Sequence, residues 1–206
     1  MKALVIAAGL ILVSASPGLA QLDPEPDSIG LFFDEAYTFP CLCSDATGPF
    51  PLYLVASEIS CAGGLAGWEA MVSLTPESTG LFFLSATLSG TGPIMATTPP
   101  EFQVVLGVPM PQAPDLLLAT LNYFATGPAA ACFRIHPIRA PSLPGECSYV
   151  DGAVVDRLVP FVPPNTWLGP AAFLNTVHCQ CPHNLNCEGQ VVTKVATWGA
   201  VKSMFR

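Results

Sequence analysis

The chain has 206 residues, of which 51% are hydrophobic and 11% charged, with a formal net charge of −8. Ordinary globular proteins carry about 25% charged residues, so this composition excludes a disordered chain, which needs low hydrophobicity and dense charge, and leaves little surface for ion-pair networks. The charge is also uneven: Gln21–Phe133 holds eleven acids and no Lys or Arg, which repels phosphate backbones and argues against nucleic-acid binding.

Met1–Ala20 reads as a secretory signal peptide. Lys2 is the basic n-region, Ala3–Val13 is apolar or small, and Gly18-Leu19-Ala20 places small residues before the cut. The apolar run is too short for a bilayer, which needs about 20 apolar residues. The mature chain then starts at Gln21, with no cysteine there to take a bacterial lipid anchor. The expected location is exported: secreted, periplasmic or at the cell surface. Residues 21–27 form an acidic arm in which Asp23, Glu25 and Asp27 alternate with prolines; it lacks the glycine and terminal glutamate of an EF-hand calcium loop. The acids as a whole read as solubilising charge, with attraction of a divalent cation or a basic partner as the sharper alternative.

Residues 28–177 are expected to fold as one antiparallel, all-β sandwich. Ile29–Phe33, Ala36–Cys43, Leu52–Ser57, Trp68–Leu74, Gly80–Leu88, Phe102–Val108, Leu116–Phe124 and Ala131–Ile135 are short apolar segments that predict strands. Turn signals separate them, among them Ala46-Thr47-Gly48-Pro49, Ala62-Gly63-Gly64 and Thr126-Gly127-Pro128. Trp68, Ala70, Val72 and Leu74 alternate with other residues, as do Phe102, Val104 and Leu106, the period of a half-buried strand. Trp68, Val72, Phe102, Val104 and Leu118 are therefore expected in the core. Asn122 and Pro128 break Leu116–Phe133, the strongest later candidate for a membrane span, so the mature chain is expected to have none.

Residues 178–206 read as a Cys-rich segment followed by a basic tail. Val191, Val195, Trp198, Val201 and Phe205 lie close to helical spacing and predict a short terminal helix. The eight cysteines are Cys41, Cys43, Cys61, Cys132, Cys147, Cys179, Cys181 and Cys187. An even count in an exported chain reads first as disulfides. Proximity in sequence suggests Cys41 or Cys43 with Cys61, and Cys132 with Cys147. The alternative is a tetrahedral metal site drawn from His178, Cys179, Cys181, His183 and Cys187, although C-x-C is tighter than usual zinc spacing. Disulfides are the expected state, with no metal and no other cofactor.

No nucleophile elbow, zinc-protease signature or phosphate loop is present. His136 is the one histidine outside the Cys-rich segment, and Asp151 or Asp156 could orient it in a triad, but no serine stands in a marked context. Asp34-Glu35 is an acid pair that a strand would point to opposite faces. No catalytic residue is assigned.

Asp27-Ser28-Ile29-Gly30-Leu31-Phe32-Phe33-Asp34 and Gly64-Leu65-Ala66-Gly67-Trp68-Glu69-Ala70 are similar to segments of a group of uncharacterised exported bacterial proteins. So are Leu117-Leu118-Ala119-Thr120-Leu121, Pro141-Ser142-Leu143-Pro144-Gly145, Tyr149-Val150-Asp151-Gly152 and the ending Thr197–Arg206. Those proteins resemble cohesin-like, immunoglobulin-type β-sandwiches. The resemblance implies that fold over roughly Asp27–Val162 and implies no catalytic residues. The chain differs from cohesins, which bind dockerin partners, in its cysteine content and Cys-rich tail. The sequence thus points to a non-enzymatic sandwich acting in adhesion, assembly or envelope structure, with a protein or cell-envelope partner. A carbohydrate- or calcium-linked binding module using an exposed aromatic strip of Tyr53, Tyr123 or Trp167, or clustered carboxylates, is the second reading, and a metal-dependent protein using His178–Cys187 the third.

Overall fold

The structure is a computed structural model that describes residues 25–42, 47–74, 80–95, 97–127, 129–154, 156–163 and 171–174. The expected signal peptide, residues 21–24 of the acidic arm, Cys43, Trp167, the His178–Cys187 segment and the expected terminal helix lie outside the described residues.

Among the described residues the chain is all-β, with no helix. The long strands are β3 (Gly48–Ser57), β4 (Leu65–Leu74), β5 (Leu81–Leu88), β7 (Glu101–Met110) and β8 (Asp115–Ala125). Shorter ones are β1 (Ser28–Phe32), β2 (Cys41–Leu42), β6 (Ile94–Met95), β9 (Ala131–His136), β10 (Ser148–Asp151), β11 (Leu158–Pro160) and β12 (Ala172–Leu174). A four-stranded antiparallel sheet runs β1-β3-β8-β5. The second sheet runs β11-β10-β4-β9-β12-β2, with β7 and then β6 on the other side of β4; its pairs are antiparallel except β12 with β2.

The two sheets share one core. Leu52, Leu54, Leu118, Leu121 and Tyr123 come from the first sheet, and Trp68, Ala70, Val72, Phe102, Val104 and Phe133 from the second. All five expected core residues are buried. Trp68 packs on Phe102 with ring centroids 5.5 Å apart, and Tyr123 meets Phe133 edge-on at 5.2 Å. Burying each such side chain contributes roughly 1.5–3 kcal/mol.

Two strand expectations need correction. Of the expected strand Ala36–Cys43, residues 36–40 are a loop, Cys41–Leu42 are strand and Cys43 lies outside the described residues. Asp34 accepts hydrogen bonds from Thr38 N–H (2.9 Å), the Thr38 hydroxyl (2.8 Å) and Phe39 N–H (2.8 Å), so local side-chain bonding replaces a ladder. Conversely, β3 starts at Gly48, inside the expected turn. Pro49 and Pro51 are tolerated because β1 pairs only with residues 53–57 of β3, leaving one edge without a partner among the described residues where the prolines sit.

β9 and β10 are two halves of one partner of β4. Met71 pairs with His136 and Glu69 with Ser148, leaving room opposite Ala70 for Cys147 alone. Pro137–Glu146 is thus an excursion from a continuous strand line.

The same register excludes two of the suggested pairings, Cys41 with Cys61 and Cys132 with Cys147; Cys43 lies outside the described residues. Cys61 and Cys147 are buried free thiols. Cys61 precedes β4, whereas Cys41 and Cys132 pack with Phe173 beyond its far end, where Leu74 pairs with Phe133. The ten residues of β4 span about 34 Å. Cys132 and Cys147 stand about five positions apart along β4, roughly 17 Å, against the 4–7 Å a disulfide needs. The pairing of Cys41 with Cys61 and that of Cys132 with Cys147 are therefore both excluded.

Candidate functional site

The outer face of the four-stranded sheet is the candidate site. Residues directly opposite in a ladder project to the same side, and every second residue of a strand shares a face. Past the bulge at Leu118, the β8 residues Ala119, Leu121, Tyr123 and Ala125 point inward and are buried, so Thr120, Asn122 and Phe124 point outward. Register then sets three rows across the sheet. Tyr53, Thr120 and Thr87 form one, Pro51, Asn122 and Ser85 the next, and Pro49, Phe124 and Phe82 the third. Phe32 extends the first row from β1.

Aromatic rings stand at both ends of this face. Phe32 lies back over Gly30, where a Cβ would meet its ring at 2.8 Å, so glycine at that position lets the ring lie flat. Tyr37 packs on Phe32 and on Tyr53, with centroids 6.2 Å apart in each case. At the other end Phe82 is 54% exposed. Between them the row is polar: Asn122 Nδ2 donates to Ser85 Oγ at 3.1 Å. Asp115, at the start of β8, is the only charged residue in the four strands. Burial raises the phenols of Tyr37 and Tyr53, helped by the carboxylates of Asp115 and Glu35 for Tyr37 and of Glu35 for Tyr53. Both stay neutral hydroxyl donors.

Of the aromatic residues expected to form a binding strip, Tyr53 is on this face. Tyr123 is not: it is 1% exposed and packs in the core against Phe50, Phe83 and Phe133. It is one position off in a period-2 strand, which reverses its face. Trp167 lies outside the described residues, as do His178, Cys179, Cys181, His183 and Cys187. Among the described residues no three His, Cys, Asp or Glu side chains converge as metal ligands.

The other polar clusters are braces. Asp27 accepts from Ser60 N–H (2.7 Å), the Ser60 hydroxyl (2.6 Å) and the Tyr149 hydroxyl (2.5 Å), fastening the chain ahead of β1 to β10. Burial, and then the bond to Asp27, push the Tyr149 phenol well up. The same hydroxyl lies 3.4 Å from Cys61 Sγ. Beside this node is an open hollow of about 460 Å³ lined by Pro26, Glu58, Ile59, Ser60, Gln112, Ala113 and Pro114. Glu69, 4% exposed, accepts from Ser142 N–H (2.7 Å), the Ser142 hydroxyl (2.9 Å) and the Ser148 hydroxyl (2.9 Å), and so pins the Pro137–Glu146 excursion.

Asp34 is occupied in its loop, and Glu35 Oε1 lies 3.5 Å from the Tyr53 hydroxyl, so the two acids do not act as a pair. Asp151 holds Ala153 N–H and Arg157, and does not orient His136. His136 Nε2 instead lies 2.8 Å from Ser73 Oγ, while Nδ1 lies 3.3 Å from the Pro137 carbonyl. The carbonyl can only accept, so a neutral ring bonded this way presents Nε2 to the Ser73 hydroxyl. Sequence reasoning missed this serine–histidine pair because Ser73 and His136 meet only through the β4–β9 register. On an open sheet face, with Asp151 turned elsewhere, it is a diagonal cross-strand contact.

No protein-family model matches this chain, and no curated protein matches it.

Proposed function

We propose that the chain is an exported, non-enzymatic β-sandwich of the immunoglobulin or cohesin-like type that works by contact, in adhesion, assembly or envelope structure. Its partner is a protein or another cell-envelope component, not nucleic acid. The outer face of the β1-β3-β8-β5 sheet carries this reading. A face left to solvent ordinarily holds Lys and Glu, whereas this one has exposed or half-buried aromatic rings, hydroxyls and an amide, with Asp115 the single charge of its four strands and Glu35 beside Tyr53. The eleven acids of Gln21–Phe133 support the exclusion of phosphate-rich partners. The basic, then apolar, then small-residue pattern of Met1–Ala20 supports export.

The test is sedimentation of the full chain with isolated cell envelopes of its source. Saturable co-sedimentation that falls when Tyr53 is replaced by Ala is expected. A protein that stays in the supernatant at every envelope concentration would overturn the proposal.

A further inference from the structure

The geometry points to a neutral glycan as the ligand of the outer face of the β1-β3-β8-β5 sheet, a step that rests on the contact function proposed above. A sugar ring has an apolar C–H face and a rim of hydroxyls. The face offers both complements in separate places. Tyr53 at one end and Phe124 with Phe82 at the other supply aromatic surface, and Asn122 with Ser85 lies midway. Four residues of β8 separate the end rows, on the order of 14 Å. That spacing suits an extended chain lying along β8.

The polar centre is prepared for hydroxyls. Asn122 uses one N–H to reach Ser85 Oγ, which fixes the direction of the amide. Its other N–H and its carbonyl remain to donate and accept, and Thr120 and Thr87 add hydroxyls that can do either. A protein interface has the opposite plan, an apolar centre with a polar rim. Charge selects further: the flanking side chains are Glu35 and Asp115, and no Lys or Arg lies anywhere in Gln21–Phe133. A sulfated or uronic-acid glycan would meet only like charge, so the ligand is uncharged.

Native affinity electrophoresis of the full chain tests this, with barley β-glucan, arabinoxylan or galactomannan cast in the gel and polygalacturonate as the acidic comparison. At least one neutral polysaccharide should retard the protein and polygalacturonate should not. Tyr53→Ala and Asn122→Ala should each weaken the retardation constant about tenfold, equivalent to one stacking or hydrogen-bond contact. Val105→Ala, on the other sheet, should leave it unchanged. Should Tyr53→Ala lose its cooperative melt, Ser85→Ala and Asn122→Ala decide the matter. Two results would overturn the inference: no retardation by any of the three neutral polysaccharides, or retardation that survives Asn122→Ala and Ser85→Ala. Envelope co-sedimentation without polysaccharide binding would sink the glycan alone and point to a protein partner; loss of both would sink the contact function as well.

Discussion

Asp115 shows how a single side chain bears on the energetics of the face. Burial raises its carboxyl, the Glu58 carboxylate adds to the shift, and the Ser57 hydroxyl opposes it. The folded protein therefore holds this proton more tightly than the unfolded chain does. The resulting stabilisation is present below the unfolded value near pH 4 and is lost as pH rises through the folded value. Asp115→Asn should raise the melting temperature at neutral pH, and the difference should vanish below about pH 4, as a thermal melt series would register. A second residue-scale prediction concerns the thiols. Burial pushes Cys147 far above the ordinary thiol range, with the Glu69 and Glu146 carboxylates adding to the shift against a backbone hydrogen bond from Met71, and Cys61 is only 3% exposed. Neither presents its sulfur to solvent. Both should resist a maleimide reagent in the native protein and react on denaturation, with mass spectrometry of the labelled peptides giving the assignment.

At the scale of elements, the interrupted strand β9–β10 depends on one carboxylate. Glu69→Ala would strip the Ser142 and Ser148 donors of their acceptor and should cost about 3 kcal/mol in urea unfolding. Glu69→Gln keeps one acceptor oxygen and should cost clearly less. β4 itself was legible: Trp68, Ala70, Val72 and Leu74 alternate, and three of the four are buried. The first half of β3 was hidden because Gly48, Pro49 and Pro51 carry turn chemistry, and only the shortness of β1 makes room for them. The join of His136 to Cys147 was equally invisible, since the intervening residues read locally as a proline-rich loop and only the ladder of β4 aligns its ends. On the candidate face, the sequence marks Tyr53 as a binding aromatic but Asn122 only as a break in an apolar run, because its Ser85 partner lies 37 residues away. Alternation is a local signal, whereas a face assembled from four strands is fixed by register.

Across the whole molecule, Ile94, Val105 and Val108 stay exposed on β6 and β7, and Phe82 and Leu84 on β5. So much exposed apolar surface in a charge-poor chain would favour fibril growth if a second chain could add a strand. The described edges resist that in different ways. β2 and β6 are two residues long, β11 ends in Pro160, and β5 is offset by a bulge at Leu84. Val162 bridges the outer side of β1 at Ser28, and Pro49 and Pro51 remove two donors from the open half of β3. Replacing both prolines with Thr should therefore raise concentration-dependent assembly and thioflavin fluorescence above the parent. An unchanged assembly rate would mean that the proline half of β3 is not the guarded edge. With strand addition obstructed, crowded copies meet through their faces, where contact is reversible, and a rise in local concentration leads to clustering that can be undone instead of fibres that cannot.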